Sequence, residues 1–265
     1  MTAFCGRRKW IGSSRRIDGG TVGMADVHAN GWFQRPTGQL APGFRIGAGD
    51  TCLDVGCGGG GMSEFAAAMG AAVIATDIDP ARVDAIRAQL GHGRARSFAA
   101  FVSDSTPLPV ADETATRIMC TEVLEHVADP RAVLAELVRV GKPGAVYLLT
   151  VPDETAERLQ LGIAPPSYWE RPNHVRIFSR QAFGDLVTDA GLVIDQRLTA
   201  GFFWALWWVL FWAAEAEFGE PEPPVLASWS QTWQALIQTR KGDEIRSTLD
   251  AFMPKSQVIV ARKAA

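Results

Sequence analysis

Residues 53–61 read LDVGCGGGG, a stretch that ends in four consecutive glycines. It begins within a short β-rich run, Thr51 to Val55, and leads into a helix-like segment, Met62 to Met69. Glycines are needed where a strand turns sharply into a helix and where a ligand approaches the backbone without meeting a Cβ atom. The stretch also satisfies the G-x-G-x-x-G pattern of dinucleotide sites, so alone it indicates only a ligand-binding turn in an α/β protein.

Strands and helices alternate beyond this turn. Helical segments with apolar residues at helical spacing separate short β-rich runs, which predicts a parallel-rich, doubly wound sheet. The predicted strands are Thr51–Val55, Ala72–Thr76, Phe98–Ser103, Ala115–Thr121, Val146–Val151, Leu192–Leu198 and Ser256–Ala261.

Three segments depart from that alternation. Residues 1–30 are rich in Gly, Ser and Arg and are predicted to be a disordered or irregular tail, which leaves 31–265 as one domain. Within the domain, 152–178 and 199–255 are too long for ordinary connections. We interpret 152–178 as a substrate loop and 199–255 as a largely helical insertion or lid.

Composition restricts the class of protein. The chain has 265 residues, 47% hydrophobic and 21% charged, and a formal net charge of −3. This balance is ordinary for a globular protein, and a nucleic-acid partner is not expected without a basic excess. The four cysteines show no C-x-x-C spacing, so free thiols in a reducing cytoplasm are predicted, with no metal site.

Two acidic residues constrain the ligand at the glycine turn. Asp77 ends the second predicted strand, about 20 residues beyond the turn, where a carboxylate can accept hydrogen bonds from ribose hydroxyls. Asp54 lies two residues before the first glycine, where its charge would oppose a pyrophosphate. A ligand that carries an ammonium and a sulfonium would instead be attracted to the Asp54 carboxylate, and S-adenosylmethionine carries both groups.

Five motifs in this order resemble the class I S-adenosylmethionine-dependent methyltransferases, in particular the small-molecule group that includes the ubiquinone-type O-methyltransferases. The resemblance covers roughly residues 45–198 and the last strand. It implies a Rossmann-like fold, with a mostly parallel seven-stranded sheet and an antiparallel last strand, and a cytoplasmic enzyme that releases S-adenosylhomocysteine. The motifs are residues 53–61, residues 75–80 (ATDIDP), Ser103–Ser105 with Leu108–Pro109, residues 121–127 (TEVLEHV) and Arg139–Gly144.

The resemblance also implies roles for single residues. Glycines of the turn would hold the methionine part of the cofactor, Asp77 the ribose hydroxyls and Asp104 the adenine amino group, with Ser105 beside it. Thr121 and Glu122 would close over the methionyl end. The full predicted cofactor set is Asp54, Gly56, Cys57, Gly58, Gly60, Asp77, Ile78, Asp104, Ser105, Thr121 and Glu122.

Histidines are the candidates for proton transfer, because an acceptor hydroxyl needs a base that titrates near neutral pH. His126 follows the fourth predicted strand, and His174 stands at the end of the 152–178 loop; packing or lining the pocket is the alternative role. Glu122 and Glu125 could form a carboxylate site or bind a metal with His126, but closure of the cofactor loop by Glu122 and a solvated position for Glu125 are favoured. His28 is left open, and His92, between glycines, is predicted to be exposed.

The insertion opens with an uncharged aromatic run, FFWALWWVLFW, at residues 202–212. It falls short of the roughly 20 apolar residues of a membrane span. Burial against other helices of the insertion is the leading interpretation. A binding site for a small hydrophobic acceptor, membrane-surface contact, and a homodimer contact through 201–214 are the alternatives.

Overall fold

The computed structural model describes residues 19–91, 93 and 95–265. The strands are β1 (Gln39–Ala41), β2 (Phe44–Arg45), β3 (Thr51–Val55), β4 (Ala72–Asp77), β5 (Ser97–Val102), β6 (Ala115–Thr121), β7 (Gly141–Pro152), β8 (Leu192–Ala200) and β9 (Ser256–Lys263). The α-helices are α1 (Gly19–Ala29), α2 (Gly61–Ala68), α3 (Pro80–Leu90), α4 (Pro130–Val140), α5 (Glu154–Gln160), α6 (Arg180–Asp189), α7 (Phe202–Ala213), α8 (Pro224–Ile237) and α9 (Gly242–Phe252), and 3-10 helices span Arg35–Thr37 and Pro166–Trp169.

Strands β3 to β9 form one seven-stranded sheet in the order β5-β4-β3-β6-β7-β9-β8. The pairs from β5 to β7 are parallel, whereas β9 runs antiparallel to both β7 and β8. Strand β8 therefore runs in the same direction as β7. The predicted Rossmann-like fold with an antiparallel last strand is confirmed.

Local signals explain where the flanking helices begin. The Asp79 and Asp129 carboxylates accept hydrogen bonds from backbone N–H groups of α3 and α4, and each helix has proline in its first turn. The Ser179 hydroxyl caps α6 in the same way. Such caps satisfy N–H groups that a helix start leaves without partners. These helices bury apolar side chains in two clusters, one containing Leu134 and the other Ile86.

The carboxyl ends of the parallel strands meet at one edge of the sheet. The glycine turn follows β3, Asp77 ends β4 and Thr121 ends β6. Strand β7 ends at Pro152, before the 152–178 segment, and β8 ends at Ala200, before α7. Ligands of open α/β sheets bind outside this edge. The segments that begin at 152 and 199 therefore start at the same edge of the sheet as the glycine turn.

Part of the predicted irregular tail is helical, because α1 covers Gly19–Ala29; residues 1–18, and the prediction for His92, lie outside the described residues. Two glycines allow α1 to pack on the insertion, since a Cβ at Gly19 or Gly23 would collide with the indoles of Trp207 and Trp204. Each glycine destabilises a helix by about 1 kcal/mol relative to alanine, so the sequence pattern does not predict α1. Tertiary packing of the helix outweighs that propensity.

The insertion is helical, as predicted. Phe203 of α7 stacks on Trp229 of α8, and Trp233 is fully buried, where its Nε1–H donates to Asp26 of α1 at 2.9 Å. Along the described chain, no helix combines the length and hydrophobicity that crossing a bilayer requires. Membrane-surface contact or dimerisation through 201–214 stays a prediction.

Candidate functional site

The glycine turn folds tightly between β3 and α2. Gly56 and Gly60 have φ of 69° and 82°, a left-handed conformation that favours glycine. A Cβ at Gly56 would collide with Val123, so the turn packs directly against the segment that follows β6. The backbone N–H of Cys57 donates to the Thr76 carbonyl at 2.9 Å. The turn, the end of β4 and the segment after β6 are therefore one packed unit.

Asp54 lies buried beneath the turn. Its Oδ2 accepts a hydrogen bond of 2.6 Å from the Ser63 hydroxyl of α2. Burial raises the pKa of the Asp54 carboxyl to about 6, although the hydrogen bonds from Ser63 lower it. Above that pH a buried negative charge lies under the glycines, and it attracts a cationic ligand at this point.

Asp77 is held in place by the turn itself. Its Oδ2 accepts from the Gly58 N–H at 2.9 Å, and its Oδ1 accepts from the Asp79 N–H at 2.9 Å. The next residue, Ile78, is 71% exposed at the end of β4, an apolar side chain standing at the edge where ligands bind. A fixed carboxylate beside an exposed apolar side chain can bind ribose hydroxyls and contact the flat face of a base.

Asp104 and Ser105 lie after β5, on the next strand of the same edge. Ser105 is buried with φ of 72°, and its N–H donates to the Ser103 hydroxyl at 3.0 Å. Asp104 is exposed, with its Oδ1 accepting from the Thr106 N–H at 3.1 Å. The remaining carboxylate oxygen can accept from an amino group.

Glu122 connects the segment after β6 with the end of the insertion. Its carboxylate accepts from the Thr150 hydroxyl at 2.9 Å and pairs with the Lys255 ammonium. Burial opposes ionisation of Glu122, but the charge of Lys255 and the hydrogen bonds outweigh burial and lower the pKa of Glu122. Thr121, the last residue of β6, lies partly buried beside it.

Glu125 corrects the sequence interpretation, which favoured a solvated side chain. It is 1% exposed, and neither carboxylate oxygen accepts a hydrogen bond from another described residue. Burial, together with the charge of Glu122, raises the pKa of Glu125 well above its ordinary value. The pKa values of these two acidic residues of one motif shift in opposite directions, because Glu122 is paired with Lys255 and Glu125 is not.

The two predicted histidines lie together. The ring centroids of His126 and His174 are 4.9 Å apart, and the His126 Nε2 lies 3.5 Å from Glu125 Oε1. Burial, with the charge of His174, lowers the pKa of His126. His174 is buried, and its Nδ1 lies 2.7 Å from the Oε2 of Glu157. Glu157 belongs to α5, which the sequence pattern left within a loop.

An aromatic path joins the histidines to the insertion. Tyr168 lies 4.6 Å from the ring of His174 and 5.3 Å from that of Trp212. Trp212 also donates from Nε1 to Gln160 of α5 at 3.0 Å. Thus the end of α7 reaches the site, whereas Trp204 near its start packs on α1. His28 lies elsewhere, exposed beside Trp32 and Phe33.

Sequence reasoning missed three contributors to the site: Glu157, Tyr168 and Lys255. Each reaches the site from a segment read as a loop or an insertion. Asp153, which accepts from the Thr155 N–H at 3.0 Å, was an available signal for a helix start in D-E-T-A-E. No comparable local pattern marks Lys255, whose partner Glu122 lies far away in the sequence.

The fold and these residues define a class of protein: an α/β protein that binds an adenosine-type ligand at the carboxyl edge of a doubly wound sheet. Residues 53–149 match the methyltransferase domain family. A ubiquinone biosynthesis O-methyltransferase of Hahella chejuensis is 39% identical over 167 residues, covering 57% of this chain and 69% of that protein. The chain therefore belongs to the class I S-adenosylmethionine-dependent methyltransferases.

Two further comparisons mark the extent of the likeness. A ubiquinone biosynthesis O-methyltransferase of Xanthomonas oryzae pv. oryzae (strain PXO99A) is 35% identical over 127 residues, 47% of this chain and 52% of that protein. The chain thus spans about half the length of the first curated relatives it matches. A solved geranyl diphosphate methyltransferase with bound S-adenosylmethionine is 16% identical, has a TM-score of 0.57 and covers 90% of this chain and 85% of its own, a likeness in fold.

Proposed function

We propose that this chain transfers the methyl group of S-adenosylmethionine to an oxygen atom of a small hydrophobic acceptor in the cytoplasm. The observation that carries the proposal is the buried His174–Glu157 pair, with 2.7 Å between Nδ1 and Oε2, beside the segment that follows β6. A histidine oriented by a carboxylate is suited to removing a hydroxyl proton. The names of the curated relatives favour oxygen as the methyl acceptor.

The bound cofactor supplies an activated methyl group on a sulfonium, and S-adenosylhomocysteine is the product. The residues of the chain align the acceptor, exclude water and move one proton. His174 takes the proton at Nε2, because Glu157 occupies Nδ1. The Glu157 carboxylate then stabilises the imidazolium and fixes the ring.

The cofactor fits along the carboxyl edge. The glycine turn with Asp54 receives the methionine end, Asp77 and Ile78 the ribose and one face of the adenine, and Asp104 with Ser105 the amino group. Thr121 and Glu122 close the methionine end. This assignment is supported by the left-handed glycines and by the Gly58 N–H that fixes Asp77.

A hydrophobic acceptor is favoured by what surrounds His174. The ring centroids of Tyr168 and Trp169 lie 4.6 and 6.4 Å from that of His174. The ring of Trp212 lies 5.3 Å from that of Tyr168. Large rigid aromatic surfaces with few polar groups bind flat or alkyl-bearing molecules. Phenols with apolar substituents are therefore the first acceptors to test.

The proposal predicts turnover of labelled cofactor with alkyl-substituted phenols, at a kcat/KM that rises with the length of the alkyl group. Trp212→Ala is expected to raise the acceptor KM about tenfold, equivalent to about 1.4 kcal/mol of lost contact, with an unchanged cofactor Kd. The matched control is Trp204→Phe, on the side of α7 that packs on α1. Formation of no S-adenosylhomocysteine with any phenol would reject the proposal.

The charge of Asp54 predicts a pH dependence of cofactor binding. A cationic ligand favours the ionised carboxylate, so affinity should fall, by up to about tenfold per pH unit, as the pH decreases below about 6. Calorimetry between pH 5 and pH 8 measures the profile. Asp54→Asn should flatten it, and S-adenosylhomocysteine, which lacks the sulfonium, should show a weaker dependence. A flat profile in the unsubstituted protein would contradict the role of Asp54.

A further inference from the structure

Lys255 lies where three segments of the site meet. It directly precedes β9, and its backbone N–H donates to the Ala200 carbonyl at 3.0 Å. Its own carbonyl accepts from the Asp153 N–H at 2.9 Å. Ala200 ends β8 before α7, and Asp153 caps the start of α5. The backbone of this one residue therefore joins the start of the insertion to the start of α5.

The side chain of Lys255 reaches the third segment, which follows β6. Its ammonium pairs with the Glu122 carboxylate, and the two side chains are 20% and 33% exposed. Burial opposes the charge of Lys255, but the carboxylates of Glu122 and Glu157 outweigh burial and raise the pKa of the ammonium. Lys255 is therefore a cation that carboxylates of the site hold in place.

Glu122 is fixed through its backbone as well as its side chain. Its φ of 55° lies in the left-handed region, which a residue with a Cβ adopts mainly where the surrounding structure enforces it. The Glu122 N–H donates to the Thr150 carbonyl at 3.0 Å, and the Thr150 hydroxyl donates to Glu122 Oε1 at 2.9 Å. Lys255 occupies Oε2. A ligand that restrains Glu122 therefore also restrains Lys255.

The two helices that Lys255 joins carry the proposed acceptor side. Helix α5 bears Glu157, whose carboxylate lies 2.7 Å from Nδ1 of His174. Helix α7 bears Trp212, whose indole N–H donates to Gln160 of α5 at 3.0 Å. The two helices are thus bonded to each other, and Lys255 fixes the point where each begins.

The cofactor side begins at Glu122. Its neighbour Val123 packs so closely on the glycine turn that a Cβ at Gly56 would collide with it. A bound cofactor restrains this segment, and a contact with a group that is already restrained costs less conformational entropy. We propose that Lys255 is a positioning residue through which the bound cofactor steadies α5 and α7 for the acceptor. The inference rests on the proposed function, which places the cofactor at Glu122 and the acceptor at His174.

An ion pair suits this role better than an apolar contact. Desolvation of two partly buried charges offsets much of their attraction, so the pair adds little net stability. The attraction also weakens as soon as the two groups separate. Lys255 is thus suited to transmit the position of Glu122, and the acceptor should bind more tightly after the cofactor, by about 5- to 150-fold for a coupling of typical size.

Amide hydrogen exchange of the full chain, with and without saturating S-adenosylhomocysteine, tests the proposal in the absence of an acceptor. This ligand carries the ammonium and carboxylate of the methionine end and permits no turnover. We expect it to slow exchange about fivefold or more in α5 and α7, residues 154–160 and 202–213. Exchange at the glycine turn, residues 56–61, should slow as well, which shows that the ligand is bound.

Variants assign the effect to the side chain of Lys255. Lys255→Met removes the charge but keeps the backbone bonds, so the ligand should slow exchange in α5 and α7 by less than about twofold. Lys255→Arg should restore the response. Glu122→Gln breaks the same ion pair from the other side, and the double variant should lose nothing further. Lys263→Met is the matched control, because Lys263 lies at the far end of β9 and donates to two backbone carbonyls there.

The measured quantity is the ratio of exchange rates with and without ligand, because a purely structural lysine would change both rates equally. An unchanged ratio in Lys255→Met, or slowing confined to the glycine turn in the unsubstituted protein, overturns the proposal. Faster exchange of α5 with ligand also overturns it and means that the cofactor competes with Lys255 for Glu122. If circular dichroism shows that Lys255→Met is unfolded, Glu122→Gln decides between the same outcomes. Failure to methylate any phenol rejects the proposed function alone, since no acceptor enters the exchange experiment.

Discussion

Replacing His174 by alanine is expected to lower kcat about 100-fold or more while leaving the cofactor Kd nearly unchanged. The imidazole is buried and held by Glu157 at 2.7 Å, and the proposed function assigns it to the acceptor and not to the cofactor. Loss of a general base costs about 100- to 10,000-fold in rate. Steady-state kinetics with a phenolic acceptor and calorimetry with the cofactor provide the two measurements.

Two variants accompany this prediction. His126→Ala tests the second histidine, which is 34% exposed and has no carboxylate bonded to Nδ1, so we expect a smaller loss of kcat. His28→Ala should retain the full rate, because His28 contacts Trp32 and Phe33 and not the pair formed by His126 and His174. Near-native rates in both His174→Ala and His126→Ala would show that alignment alone carries the reaction or that the acceptor arrives ionised.

The sheet and the cofactor side could be predicted from sequence because their signals are local. Each motif sits where a strand ends, and parallel strands place those ends at one edge. The glycines at Gly56 and Gly60 are required by left-handed backbone, and Asp77 follows at the expected spacing. A short stretch of sequence is sufficient to identify each of them.

The acceptor side could not be predicted in the same way, because it depends on contacts between distant segments. Glu125 looks like one more polar residue in TEVLEHV, yet the 165–178 segment covers it, with Val175 N–H donating to its backbone carbonyl at 3.0 Å. Lys255 reaches Glu122 from the far end of the insertion. The glycines of α1 lower its helix propensity but allow the indoles of α7 to pack closely. Tertiary packing overrides the local pattern in each case.

The second large effect is expected at Asp77. Asp77→Ala should weaken S-adenosylmethionine binding by about 1–3 kcal/mol, because the ribose hydroxyls lose a charged hydrogen-bond acceptor. Calorimetry of the folded variant measures the change. NAD should not bind measurably to the unsubstituted protein, since Asp54 opposes a pyrophosphate at the turn.

A structural contribution has to be separated from the ligand contact, because Asp77 also accepts hydrogen bonds from the Gly58 and Asp79 N–H groups. Asp77→Asn keeps one oxygen that can hold the Gly58 N–H but removes the charge. Asp77→Asn loses the acceptor for the Asp79 N–H, so its thermal midpoint should fall, but less than that of Asp77→Ala. If Asp77 binds ribose, Asp77→Asn should nevertheless lose as much affinity as Asp77→Ala. If Asp77 only fixes the turn, Asp77→Asn should bind the cofactor normally and Asp77→Ala should lose stability and affinity together. Unchanged affinity in a folded Asp77→Ala variant would contradict both roles, because the turn and the ribose share this one carboxylate.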